Sequence, residues 1–112
     1  MKKLNKIMLA LSILPTLLTS VFLFFMNDTV PMHYNASGAV DRYGSKYENF
    51  ILPAIILFMY AFYMVYTKIY TKYSTNSVEK INNNVKITAI LVTSIIAAFN
   101  ILQLMFLILA IL

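Results

Sequence analysis

The chemistry available to this chain is concentrated in residues 27–49, NDTVPMHYNASGAVDRYGSKYEN, which hold its only His, His33, its only Arg, Arg42, and both of its glycines, Gly38 and Gly44. Asp28, His33, Asp41 and Glu48 are the ionisable groups of that stretch that could converge on a cation. Zinc favours ligand sets rich in His or Cys, so one His with three spaced carboxylates in a Cys-free chain is a poor match. Calcium accepts carboxylates, but the spacing of an EF-hand loop is missing. No metal site and no cofactor is expected on these grounds. His33 with Ser37 or Ser45 would give a base and a nucleophile, yet no group to orient the base and no oxyanion donor can be assigned. Ion pairing of Asp41 or Glu48 with Arg42 and Lys46, with His33 as a hydrogen-bonded loop residue, is the simpler expectation. No catalytic residue is assigned and no enzyme is expected.

The local structure of the loop can be read from residue type. Val30, Met32 and Tyr34 alternate with Pro31 and His33, the period of an extended segment. Asn35-Ala36-Ser37-Gly38 is turn chemistry, with Gly38 able to take a positive φ, and Val40 to Tyr43 can return as a second short strand or an irregular arm. Gly44 would end it, and both glycines are expected to serve loop conformation. The result is a hairpin-like cap in which Met32, Tyr34, Val40 and Tyr43 pack or touch lipid.

What must position this loop is apolar helix. Of the 112 residues, 61% are hydrophobic, and the mean hydropathy of +0.77 places the chain in the membrane class. Residues 7–27, 50–67 and 87–112 carry no charge, and each run is long enough as a helix to cross a hydrocarbon core of roughly 30 Å. The expected fold class is an all-α membrane protein with three transmembrane helices and an ordered extracytoplasmic loop between helices 1 and 2. It forms a single membrane domain over 1–112, with spans at about 7–27, 50–67 and 87–112, the loop at 27–49 and a cytoplasmic loop at 68–86. The first run is too long for a signal-peptide core and lacks a small-residue cleavage pattern, so it reads as a retained anchor.

Lys2, Lys3 and Lys6 precede the first run, and Lys68, Lys72, Lys80 and Lys86 lie between the second and third. Short cytoplasmic segments collect Lys and Arg, so the N-terminus and the 68–86 loop are expected inside, with the 27–49 loop and the C-terminus outside. The formal charge of +5 follows from that topology, and scattered Lys flanking the spans is no nucleic-acid footprint. The lipid bilayer is the first partner such a chain requires.

Within the spans, Pro15 can kink the first helix while Ser12, Thr16, Thr19 and Ser20 help satisfy freed carbonyls. Pro53 falls in a first turn, where its missing donor matters little. Phe58, Phe62, Tyr63, Tyr66 and Tyr70 recur at spacings of three and four and read as packing and interface anchors. Asn76 and Glu79 resemble a capping box for a helix beginning near Ser77, weakened by the Asn82–Asn84 triplet. Asn100 and Gln103 share a face of the third helix and need intramembrane partners, on a neighbouring helix of this chain or of a second copy.

Thr29-Val30-Pro31-Met32-His33-Tyr34-Asn35, followed by Gly38, Asp41, Arg42, Tyr43, Gly44, Ser45 and Lys46, resembles the signature of domain of unknown function 1648. That domain is the N-terminal part of SdpI-type membrane proteins, which are linked to immunity against secreted bacterial toxins. The resemblance covers about the first half of the chain, and the chain would be a short, three-span form. It implies a bacterial plasma-membrane protein whose outer loop carries Pro31, His33, Asn35, Asp41, Arg42 and Lys46 as partner-binding positions. It further implies immunity through engagement of a membrane-active peptide or bacteriocin at that loop. The alternative is a structural or accessory subunit of a larger membrane complex, or a homo-oligomer, joined through the Asn100 and Gln103 face.

Overall fold

A computed structural model describes residues 2–112. Three helices form an up-down-up bundle about 53 Å long, with α1 and α3 parallel and α2 antiparallel to both, capped at one end by a two-stranded hairpin. Helix α1 (Lys2–Phe22) passes through a 3-10 turn at Leu23–Phe25 into strand β1 (Thr29–Tyr34), which turns into β2 (Val40–Ser45). A second 3-10 turn, Lys46–Phe50, leads into α2 (Ile51–Tyr73), and α3 (Val78–Ile111) completes the chain. All three helices are long and apolar enough to cross a membrane, so the fold is an all-α membrane protein with three such helices and an ordered hairpin between the first two.

The helices run past the charge-free stretches. Residues 68–86, expected as a loop, are largely helical. Helix α2 carries Lys68 and Lys72 in its last turns, α3 begins at Val78, and only 74–77 connect them. Lys side chains can lie along apolar surface and still hold their charge in water, so a Lys need not end a membrane helix. The capping residue of α3 is Ser77, whose hydroxyl accepts from Lys80 N, and not Asn76. Asn76 is drawn instead toward the Tyr70 hydroxyl, which it shares with Asn84. The Asn triplet does not interrupt the helix because Asn84 takes that tertiary partner.

One narrow seam holds the bundle together. Buried positions on α1 are Met8, Ser12, Pro15 and Thr19, and on α3 Ile81, Ala89, Ile96, Gln103 and Leu107. Their spacings of three, four, seven and eight define one stripe on each helix. Met8, Ile56, Tyr63, Ala89 and Ile96 form the core of the Lys-rich half, where the Tyr63 hydroxyl also donates to Asn5. Met26, Val30 and Leu107 form a second cluster under the hairpin. Most other large apolar side chains face outward, among them Leu17, Phe58, Phe62 and Ile101, as a lipid-facing surface requires. Phe62, Tyr66 and Tyr70 stack in succession on the outer face of α2, and Pro53 lies in its first turn.

Pro15 removes the amide proton that would bond Leu11 O, the cost a helix-interior Pro ordinarily incurs. The freed carbonyl is met by Asn100 Nδ2 on α3 at 2.9 Å, and not by a hydroxyl of α1. Ser12 and Ser20 return to the carbonyls of Met8 and Thr16 on their own helix.

Candidate functional site

Strands β1 and β2 pair antiparallel, with Thr29 opposite Ser45, Val30 opposite Gly44, Pro31 opposite Tyr43, His33 opposite Arg42 and Tyr34 opposite Val40. The register shifts on either side of His33, leaving Met32 and Asp41 without a cross-strand partner. Such irregularities re-aim side chains. Here Met32 packs against the Met26–Val30–Leu107 cluster, while Asp41 meets His33.

Asn35 builds the turn. Its Oδ1 accepts from Ser37 N, Ser37 Oγ and Ala39 N at 2.7–3.0 Å, and its backbone N donates to Ala39 O. Gly38 closes the turn with φ +84°, a left-handed conformation natural to glycine. Gly44 behaves differently from the expectation. It neither ends the strand, which continues to Ser45, nor adopts a positive φ. Its requirement is space, because a Cβ at Gly44 would overlap the Glu48 carboxylate and approach Met32 Cγ to 2.8 Å.

The four ionisable groups do not converge; they are distributed over three separate pairs. His33 Nδ1 and Asp41 Oδ1 lie 2.6 Å apart, with both side chains well exposed. Arg42 reaches Glu48 at 3.4 Å, as expected, but Lys46 pairs with Asp28, also at 3.4 Å, and not with Asp41 or Glu48. Lys46 N also donates to Asp28 O, so this pair closes the base of the hairpin. Neither serine is hydrogen-bonded to His33, since Ser37 Oγ donates to Asn35 and Ser45 Oγ accepts from Tyr47 N.

The signature positions therefore divide by what they touch. Asn35, Gly38, Gly44 and Lys46 shape and close the hairpin, and Pro31 is half-buried within β1. His33, Asp41 and Arg42 present polar groups to solvent.

An isolated two-stranded hairpin is marginal in water, and this one is held by buried contacts to the helix ends. Val30 is fully buried against Leu107. Asn49, at the entry to α2, is buried and donates to Lys46 O. Gln103 Nε2 donates to Thr19 Oγ1 at 2.9 Å and to Asn49 O at 2.8 Å, tying α1, α3 and the foot of the hairpin together. Gln103 is thus a contact within this chain, and the same holds for Asn100. A polar residue beginning an apolar run, as Asn49 does, was the one available sign of its role.

Fold and loop together define a class: a multi-helix membrane protein whose first two apolar helices are joined by an ordered polar hairpin. The family described as Domain of unknown function (DUF1648) matches residues 10–57, from α1 through the hairpin into α2. The chain is also similar to an uncharacterized protein of Archaeoglobus fulgidus, 42% identical over 67 residues. That match takes in 60% of this chain and 35% of the relative, so the chain spans about a third of the relative's length. No solved structure matches.

Proposed function

We propose that this chain is an SdpI-like binding protein of the bacterial plasma membrane. In this reading it protects its host by engaging a secreted membrane-active peptide at the hairpin end of the bundle. The observation that carries the reading is the contrast within the hairpin: Asn35, Gly38, Gly44 and Lys46 determine its shape, while His33, Asp41 and Arg42 place polar side chains on its exposed surface. Their pairings, His33 with Asp41 and Arg42 with Glu48, lie in solvent where such pairs add little stability, and polar groups presented from a defined support are what partner recognition uses. The clustering of Lys2, Lys3, Lys6, Lys68, Lys72, Lys80 and Lys86 at the opposite end supports an orientation with both of those segments cytoplasmic and the hairpin outside.

Expression in a peptide-sensitive bacterium tests the proposal. The chain should raise survival under a membrane-active toxin. His33→Ala and Asp41→Asn should abolish the protection while membrane levels and melting temperature hold. Survival unchanged by the intact chain across the toxins of its own host would overturn it.

A second reading, an accessory subunit of a larger membrane complex, draws on the shallow apolar groove of about 430 Å³ between α2 and α3, lined by Phe58, Phe62, Tyr66 and Val92. Phe62→Ala with Val92→Ala should then reduce recovery of a co-purifying membrane protein, and the hairpin variants should not.

A further inference from the structure

A second, smaller cavity lies beneath the hairpin. Its volume is about 160 Å³, and its lining includes Met32, Leu52 and Phe106 as apolar wall with Glu48, Asn49 and Gln103 as polar groups. Pockets for whole small ligands run to roughly 300–1,000 Å³, so this one is sized for a single side chain or a short alkyl group.

The unused hydrogen-bonding capacity in its wall is of one kind. Both Gln103 Nε2 protons are committed, to Thr19 and to the Asn49 carbonyl, which leaves the Oε1 acceptor. Asn49 Nδ2 is committed to Lys46 O and the Met26 sulfur. The Glu48 carboxylate is held by a single 3.4 Å contact with the exposed Arg42, an arrangement of small net worth in solvent. Gly44, lacking a Cβ, gives that carboxylate its place against β2. The hairpin segment 27–49 carries three carboxylates against Arg42 and Lys46, while the rest of the chain is strongly basic. A wall of acceptors around an apolar pocket repels anions and leaves a neutral alkyl group with unpaired polar neighbours; its complement is a cationic donor on an apolar stem.

We infer that this cavity is a subsite for one primary ammonium group carried on a short alkyl stem, with Glu48 and Gln103 Oε1 as its acceptors. The inference deepens the peptide-binding reading, where a lysine side chain would supply the group, and rests on it for that source. The aminoethyl headgroup of phosphatidylethanolamine carries the same chemistry.

The test uses the full chain in nanodiscs of phosphatidylcholine, a lipid whose headgroup is a quaternary and not a primary ammonium, and follows the Gln103 side-chain amide by NMR during titration with n-butylammonium. A saturable shift is expected, absent with n-butanol. Glu48→Gln should weaken it about tenfold or more, the loss of one charge-assisted hydrogen bond. Leu52→Phe, which fills the cavity from its apolar side, should abolish the shift, and unchanged backbone amides in both variants establish that the fold is kept. Equal shifts with butanol, or a Glu48→Gln response equal to that of the wild type, overturns the inference.

Two further arms assign the source. Competition on adding phosphatidylethanolamine to the disc supports the site with a headgroup ligand, and saturable binding of Nα-acetyl-lysine methylamide without such competition supports it with a peptide ligand. Butylammonium binding in a chain that fails to protect cells would remove the toxin reading and leave the cavity assignment standing. Protection without butylammonium binding would do the reverse.

Discussion

Asn100 donates to the backbone carbonyl of Leu11, the acceptor that Pro15 leaves without its helical partner, at 2.9 Å and across 89 positions of sequence. Pro15 and Asn100 are thereby coupled, although neither would be chosen alone for an apolar helix. Asn100→Leu should lower stability by about 1 kcal/mol, in line with measured interhelical hydrogen bonds in membranes and the cost of an unmet buried carbonyl. Pro15→Ala restores the missing N–H, so the double variant should recover most of that loss. Unfolding in mixed detergent micelles, read as a double-mutant cycle, measures the coupling. Additive losses would mean that the Leu11 carbonyl does not link the two positions.

The two glycines should respond oppositely to the same replacement. At Gly38 nothing lies within 4 Å of an added Cβ, so the cost is conformational alone, and Asn, which tolerates the left-handed region, should fit with little loss. Gly38→Ala should cost about 1 kcal/mol. At Gly44 the backbone conformation is ordinary and the obstacle is Glu48 and Met32, so Asn should be no better than Ala there. Hydrogen exchange of the hairpin amides in the four variants separates the two mechanisms.

The helices were legible because lipid leaves little choice: a charge-free run of sufficient length must bury its own backbone bonds. The turn was legible because Asn35, Ser37 and Gly38 each carry a local preference. The partners of the ionisable groups were not. The register shifts around His33 bring Asp41 to the imidazole, and nothing in the alternation of Val30, Met32 and Tyr34 marks them. Lys46 goes to Asp28 because the base of the hairpin closes there, a consequence of strand length. Glycine at 44 has the look of a backbone requirement and is a packing one. Those two reasons look alike in a sequence and differ only in what stands nearby.

Gln103 is the joint between bundle and hairpin. Gln103→Leu keeps the apolar volume but strips the donors from Thr19 Oγ1 and Asn49 O, which lie in different elements. Stability should fall by about 1–3 kcal/mol, the penalty for leaving buried polar groups unmet. The loss should be concentrated at the hairpin foot, with faster amide exchange at residues 46–50 and little change at Met8, Ile56 and Ile96 in the distant core. Uniform loosening of all three helices would instead make Gln103 an ordinary core residue.

Membrane orientation decides whether His33, Asp41 and Arg42 can meet a secreted molecule at all. The natural absence of cysteine makes it directly measurable. Probe positions must avoid groups that hold the fold: Ser37 bonds to Asn35 and Ser77 caps α3, whereas Ala36 and Thr75 are exposed and no side-chain hydrogen bond is assigned to either. With the hairpin outside, Ala36→Cys should react with an impermeant maleimide on intact cells, and Thr75→Cys only after lysis. The basic residues flanking 74–77 make that the expected result. The opposite pattern would place the hairpin in the cytoplasm and remove interception of a secreted peptide. It would leave the accessory-subunit reading as the one to pursue.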